Sequence, residues 1–411
     1  MFVALYLGTS LVLGDFYQIP ITVPFLLASV YALLTLRGSM KSRIDVFSSG
    51  AGDSNVLLMV WIFVLAGAFA STAKSMGAID ATVSLTLRAL PDTFLLPGIF
   101  LASCAISFAI GTSVGTVAAL TPVAVGIAQQ AQMDVTLLVG IVISGAYFGD
   151  NLSFISDTTI VATQSQGCKM NDKFKVNFRI VLPVALLVFA YYVWANQRID
   201  ATVTTTPVNY LLVVPYLSVI IAALMGVNVV ITLALGIALS ATIGILTGAY
   251  TPLACIGAMA DGMKGMSELI LITLMASGIL AVIKHNGGIE AIIHALTRRI
   301  HGKRAAEASI AALVALVNVC TANNTVAIIT TGGIAKQITE HYGLDRRKTA
   351  SILDTAACCT QAILPYGAQM LIAAGLAQVN PVSLIHHLLY PMLLALALIL
   401  AILFRFPRKY S

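Results

Sequence analysis

Apolar runs recur along the whole chain, and their lengths decide what each can be. A helix crossing hydrocarbon needs about 20 residues. Runs read as single crossings lie at 19–36, 54–73, 176–194, 207–222, 227–248, 267–283 and 383–404, with a shorter one at 2–13. Two others, 136–167 and 349–380, are too long for one straight crossing and too short for two. Both carry polar residues at their middles, Gly149 to Thr159 and Asp354 to Tyr366, and the pattern predicts crossings by broken helices. Two more, 98–130 and 305–341, are interrupted by Gly111 to Thr116 and by Thr321 to Thr325. Two full crossings need about 40 residues, so these two are predicted to be re-entrant hairpins with polar tips near the midplane. Irregular backbone at that depth is tolerated only inside protein or along a cavity.

The pattern repeats. A shift of 210 residues lays Lys74 to Ala81 on Lys284 to Ala291, with four of eight positions identical and Asp80 on Glu290. The same shift sets Gly111 to Gly115 on Thr321 to Thr325, and one residue more brings Asp134 onto Asp345 and Phe154 onto Pro365. Five crossings separate equivalent points, an odd number, so the halves are expected to be inverted. Inverted halves with broken helices meeting at the midplane are the architecture of secondary transporters. The expected fold is an all-α polytopic membrane protein with two re-entrant hairpins and two broken helices. N-terminal helices would occupy 1–53, the first repeat 54–200, connecting helices 201–264 and the second repeat 265–411.

Composition narrows the class. Hydrophobic residues make up 59 % of the 411 residues and charged residues 10 %, against roughly a quarter charged in soluble chains. With the N-terminus placed in the cytoplasm, 18 of the 23 Lys and Arg residues fall in cytoplasmic loops, as the positive-inside rule requires. The net charge of +6 is therefore a topology signal and implies no nucleic-acid partner. The six cysteines show no metal-ligand spacing, and the Cys358-Cys359 pair reads as small apolar filler. The expected location is a bacterial cytoplasmic membrane, with both termini cytoplasmic.

Chemistry concentrates at the breaks. An ionisable side chain in hydrocarbon survives only along an ion pathway or polar cavity, and Asp150 and Asp157 both lie in one apolar stretch. Hard cations prefer oxygen ligands. The first half offers Thr112, Ser113, Thr116, Asp150, Asn151, Ser153, Ser156, Asp157 and Thr158. The second offers Asn323, Asn324, Thr325, Asp354, Thr355, Gln361, Tyr366 and Gln369. Asp150 and Asp157 align with Gln361 and Ala368, which gathers charge on one side. A carboxylate here can hold either a proton or Na⁺, and that competition is the physical basis of antiport. Asp157, expected deeper in the break, is expected to be the exchanging group, with Asp150 assisting. Bland roles compete: small hydroxyls cap freed backbone groups, Asn323 and Asn324 glue helices, Asp150 caps the following half-helix, and Asp354 pairs with Arg346 or Arg347.

The run Gly149-Asp150-Asn151-Leu152-Ser153-Phe154-Ile155-Ser156-Asp157-Thr158-Thr159 resembles the GDxxSPxSDTT signature of NhaC-type Na⁺/H⁺ antiporters, and Gly111 to Thr116 resembles their GTSxGT element. The resemblance covers most of the chain and implies Na⁺-coupled secondary transport on the ion-transporter superfamily fold. Phe154 stands where the family pattern has proline, so this break must come from its Gly and Ser residues.

Na⁺/H⁺ antiport by alternating access is the expected function, with Na⁺ and H⁺ as cargo and no cofactor. A Na⁺- or H⁺-coupled carrier of an amino acid or carboxylate is the alternative on the same scaffold. Membrane lipids are expected partners, and a small organic solute and a second copy of the chain are candidates. An intramembrane aspartyl protease needs Gly-x-Gly-Asp, whereas the chain reads Tyr147-Phe148-Gly149-Asp150. A passive channel fits an inverted repeat with broken helices poorly. No enzymatic activity is expected.

Overall fold

The computed structural model describes residues 22–89, 94–153, 156–197, 209–225, 227–291 and 302–410. Among them the regular structure is helical, with no strand. The N-terminal half runs α1 (Thr22–Thr35), α2 (Met40–Ala51), α3 (Ser54–Ser75), α4 (Ala78–Ala89), α5 (Leu95–Ile110), α6 (Ser113–Gln130), α7 (Val135–Leu152), α8 (Asp157–Gln166) and α9 (Met170–Asn196). It continues through α10 (Tyr210–Leu224), α11 (Val229–Leu246), α12 (Pro252–Gly265) and α13 (Ser267–His285). The chain closes with α14 (Gly302–Thr321), α15 (Asn324–Tyr342), α16 (Arg346–Ile363), α17 (Ala368–Ala377), α18 (Pro381–Ile385) and α19 (Leu389–Leu403). Among the described residues, six helical stretches are long and apolar enough to cross a membrane, Val135–Gln166 and Pro252–His285 being the longest. The expected run at 2–13, Phe154, and the loops at Pro91 to Thr93 and Arg298 to His301 lie outside the described residues.

Helix bounds recur at a fixed interval. Both bounds of α16 lie 211 residues beyond those of α7, and both bounds of α17 lie 211 beyond those of α8. Asp134 and Asp345 are the N-caps of α7 and α16, each accepting from the backbone N–H two residues on. Ser107 donates to the Ala146 carbonyl at 2.5 Å, and Asn318, 211 residues on, donates to Ala357 at 2.7 Å. At the hairpin tips the register differs from the expected one by a residue. Gly111 and Ala322 are the equivalent left-handed positions, at φ 73° and 49°. Thr112 and Asn323 follow as extended N-caps. The shared turn geometry defines this register, which side-chain identity obscured. An alanine in that region costs roughly 1–2 kcal/mol, so the second tip is held there by its surroundings.

Helices α2, α4 and α12 lie outside the runs read as crossings, and α2 and α12 begin at clear caps. Their signals were local: Ser39 accepts from Ser42 N at 3.3 Å, and Thr251 accepts from Ala254 N at 3.2 Å just ahead of Pro252. An extended N-cap followed by proline is a helix start, but both helices were too short to be read as crossings.

The core surrounds α7, which is buried along most of its length. It packs on α5 through small residues at one-turn spacing, Ser103 and Ser107 against Gly145 and Gly149. A Cβ at Gly149 would run into the side chain and backbone of Ser107. Gly149→Ala is therefore expected to cost about 1–3 kcal/mol of overpacking, read as a lower thermal midpoint of the detergent-solubilised protein. The half-helices cross over between halves. α8 packs on α15 and α17 on α6, so each broken helix ends against the other half's hairpin.

Burial corrects part of the charge reading. Lys173 and Lys348, counted with the cytoplasmic loop charges, lie in buried ion pairs with Asp354 at 2.5 Å and Glu307 at 2.9 Å. Arg346 and Arg347, the expected partners of Asp354, instead pair with Glu340 and Asp345. Asp354 lies two turns into α16, and α9 brings an ammonium group to it there.

Candidate functional site

Gly111 turns the first hairpin sharply enough that α6 begins directly over the last turn of α7. The Asp150 carboxylate accepts from Ser113 N at 3.1 Å, from the Ser113 hydroxyl, and from Ser156 Oγ at 3.4 Å. It thus sits at the N-terminus of α6, where aligned peptide dipoles favour negative charge. This corrects one expectation: Asp150 serves the hairpin helix and not the half-helix that follows it. Asp157 is corrected as well. It is the first residue of α8, and its side chain is exposed toward a cavity, whereas Asp150 is 4 % exposed. The shallower group is Asp157.

The cavity, about 470 Å³, gathers both tips and one break. Thr112, Ser113, Asp150, Ser156, Asp157, Thr158, Asn323, Asn324 and Thr325 line it, joined by Gln361, Gln369 and Asn228. Leu58, Met59 and Ile62 of α3 close one side. The site therefore brings together eleven of the seventeen candidate residues that the two halves offer. The second half meets the first here: Gln369 Nε2 donates to Ser113 Oγ at 2.9 Å, and Gln361 Nε2 donates to Gln369 Oε1 at 3.2 Å and to the Ala322 carbonyl at 2.9 Å.

Asn151, Ser153 and Asp354 are not among the residues lining this cavity. Asn151 is buried behind it, its amide donating to Tyr147 O at 2.8 Å, and Ser153 is the buried C-cap of α7. Asp354 belongs to a separate buried cluster. Lys173 Nζ, paired with Asp354, also donates to the Asn151 carbonyl at 3.0 Å and to Thr159 Oγ1 at 2.6 Å. Asn177 donates to the same carbonyl at 2.8 Å and to Asp354 at 3.3 Å, and accepts from Ser351. The last carbonyls of a helix have no intrahelical donor, and this cluster satisfies the Asn151 carbonyl where α7 stops. Sequence reading missed Lys173 and Asn177. Their spacing of four, continued by Ile180, Val181 and Val184, puts both on the buried face of α9; that periodicity was the available signal.

A cation in the cavity would meet a carboxylate, hydroxyls and amide oxygens from both halves, the donor set that hard cations prefer. Gln361 Oε1 is a buried acceptor with no hydrogen-bond partner among the described residues.

The Na⁺/H⁺ antiporter family profile matches residues 10–197 and 198–407. The Na⁺/H⁺ antiporter NhaC of Bacillus subtilis is 23 % identical over 412 residues, covering 90 % of this chain and 87 % of that protein. The malate-2H⁺/Na⁺-lactate antiporter of the same organism is 22 % identical over 392 residues, covering 87 % and 83 %. Among solved structures, the YdaH transporter of Alcanivorax borkumensis superposes with a TM-score of 0.46 at 14 % identity, over 94 % of this chain and 99 % of that one. The family profile accounts for nearly the whole chain, and the chain belongs to the Na⁺/H⁺ antiporter family.

Proposed function

We propose that the chain exchanges Na⁺ for H⁺ across a membrane by alternating access, with Asp150 holding the two cations in turn and Asp157 receiving them from the cavity. One observation carries the assignment to Asp150. It is a buried carboxylate lining a polar cavity, at a helix N-terminus, with oxygens of both halves beside it. Na⁺ displaces the proton because both compete for the same oxygens. A site built from two halves is remade when those halves rock, which is how one carboxylate can face each side in turn.

The reading takes the halves as an inverted repeat, the hairpins as re-entrant, and the membrane as a bacterial inner membrane with both termini cytoplasmic. The 211-residue interval, and tips that meet a break midway along a stretch of spanning length, support it. In a cysteine-free background, Lys74→Cys is expected to react with an impermeant thiol reagent from outside and Lys284→Cys, its equivalent in the second half, only from inside. Labelling of both from one face contradicts the inversion. The exchange itself is tested by an outward proton gradient driving ²²Na⁺ uptake into proteoliposomes holding purified protein; absence of gradient-dependent uptake refutes it.

A second reading, coupled transport of a small carboxylate or amino acid, is favoured by the cavity volume of about 470 Å³, far more than one Na⁺ fills. Likeness to a relative named for malate and lactate points the same way. Addition of malate, lactate or an amino acid would then stimulate Na⁺ movement.

A further inference from the structure

Gln369 and Gln361 are neutral residues of the second half, and each is buried, at 3 % and 1 % exposure. Their bonds form a chain with one possible polarity. The Ala322 carbonyl can only accept, so the amide nitrogen of Gln361 must face it. That same nitrogen reaches Gln369, which must therefore offer its oxygen. The nitrogen of Gln369 is left for Ser113 Oγ, which accepts it. Ser113, its oxygen engaged, directs its proton to Asp150. The hydroxyl, which donates to Asp150, is thereby also held from across the molecule, by a chain anchored at a left-handed alanine in the second hairpin tip.

Selectivity among hard cations follows from ligand number, cavity size and rigidity. A fixed hydroxyl beside a carboxylate sets one oxygen–oxygen spacing; a mobile one lets the spacing widen for a larger ion. We infer that Gln369, held by Gln361, is a positioning residue that fixes Ser113 and thereby sets the preference for Na⁺ over larger alkali cations at Asp150. The inference rests on the reading of Asp150 as the cation-holding group.

The test uses the full chain in proteoliposomes, comparing half-saturating concentrations of Na⁺ and K⁺ for proton movement. Gln369→Met keeps side-chain length and removes the bond to Ser113. One lost hydrogen bond of ordinary strength corresponds to about tenfold in affinity. The expected result is a Na⁺-over-K⁺ preference reduced about tenfold, through a higher half-saturating Na⁺ concentration. Gln361→Met, which frees the far end of Gln369, is expected to move the same ratio and carries the test if Gln369→Met does not fold. The double variant is expected to lose no more than the larger single change, because the two act on one hydroxyl. A purely structural role would lower folded yield and leave the ratio unmoved. An unchanged ratio in either folded variant, with wild-type exchange intact, overturns the inference and leaves the antiport reading standing. If wild-type protein exchanges no cation for protons, the antiport reading fails and the inference with it.

Discussion

Asp150→Asn protein is expected to fold and to lose Na⁺-driven proton movement to background. Asparagine keeps the size of the side chain and an oxygen that can accept from Ser113 N, so the contact between α6 and α7 survives. The formal charge does not. Removing a charged partner from a buried cation costs about 3 kcal/mol or more, and at 1.4 kcal/mol per factor of ten that is about a hundredfold in Na⁺ affinity. Loss of the titratable group also removes the proton's place. Asp157→Asn is expected to be milder, about tenfold in half-saturating Na⁺, because its side chain is exposed toward the cavity and solvent screens it. Both are read as Na⁺-dependent pH change in proteoliposomes, normalised to folded protein. If Asp157→Asn abolishes exchange while Asp150→Asn spares it, the roles are reversed.

Asp354→Asn is expected to do its damage to the fold. It leaves the Lys173 ammonium, 1 % exposed, without its counter-charge. Breaking one side of a buried ion pair costs about 3–5 kcal/mol, whereas replacing both partners by apolar residues is often neutral. Asp354→Asn and Lys173→Met should each lower the folded yield and thermal midpoint in detergent sharply, and Lys173→Met with Asp354→Leu should recover most of the loss. The recovered protein is still expected to be impaired in transport, because the Asn151 carbonyl at the end of α7 then has only Asn177. Full stability of Asp354→Asn would show that Lys173 is not held there as an ion pair.

The broken crossings and hairpin tips were legible because length is a hard constraint in hydrocarbon. A stretch such as 136–167 had to break, and its polar middle said where. Eleven of the candidate binding residues share one cavity because polar groups at depth have few other places to go. Depth within a break was not legible. Asp157 follows the break and opens a helix, so its side chain turns to the cavity, while Asp150 ends a helix and is covered by the next hairpin. Which charges pair was hidden for a related reason. Lys173 reads as a loop lysine until α9 is extended one turn toward its N-terminus, which places it against α16. The register between tips was off by one residue because Gly111 and Ala322 share a backbone shape and no side-chain chemistry. Helices α2 and α12 carried good caps but were judged by length alone.

The central claim is that one carboxylate site holds Na⁺ or a proton, never both. Its most direct test is the half-saturating Na⁺ concentration for exchange in wild-type proteoliposomes, followed downward in pH through the neutral range. For one shared site, apparent Na⁺ affinity should fall by up to about tenfold per pH unit once protons compete, while the maximal rate at saturating Na⁺ is kept. A Na⁺ affinity that stays constant as pH falls, with exchange continuing, would contradict a shared site.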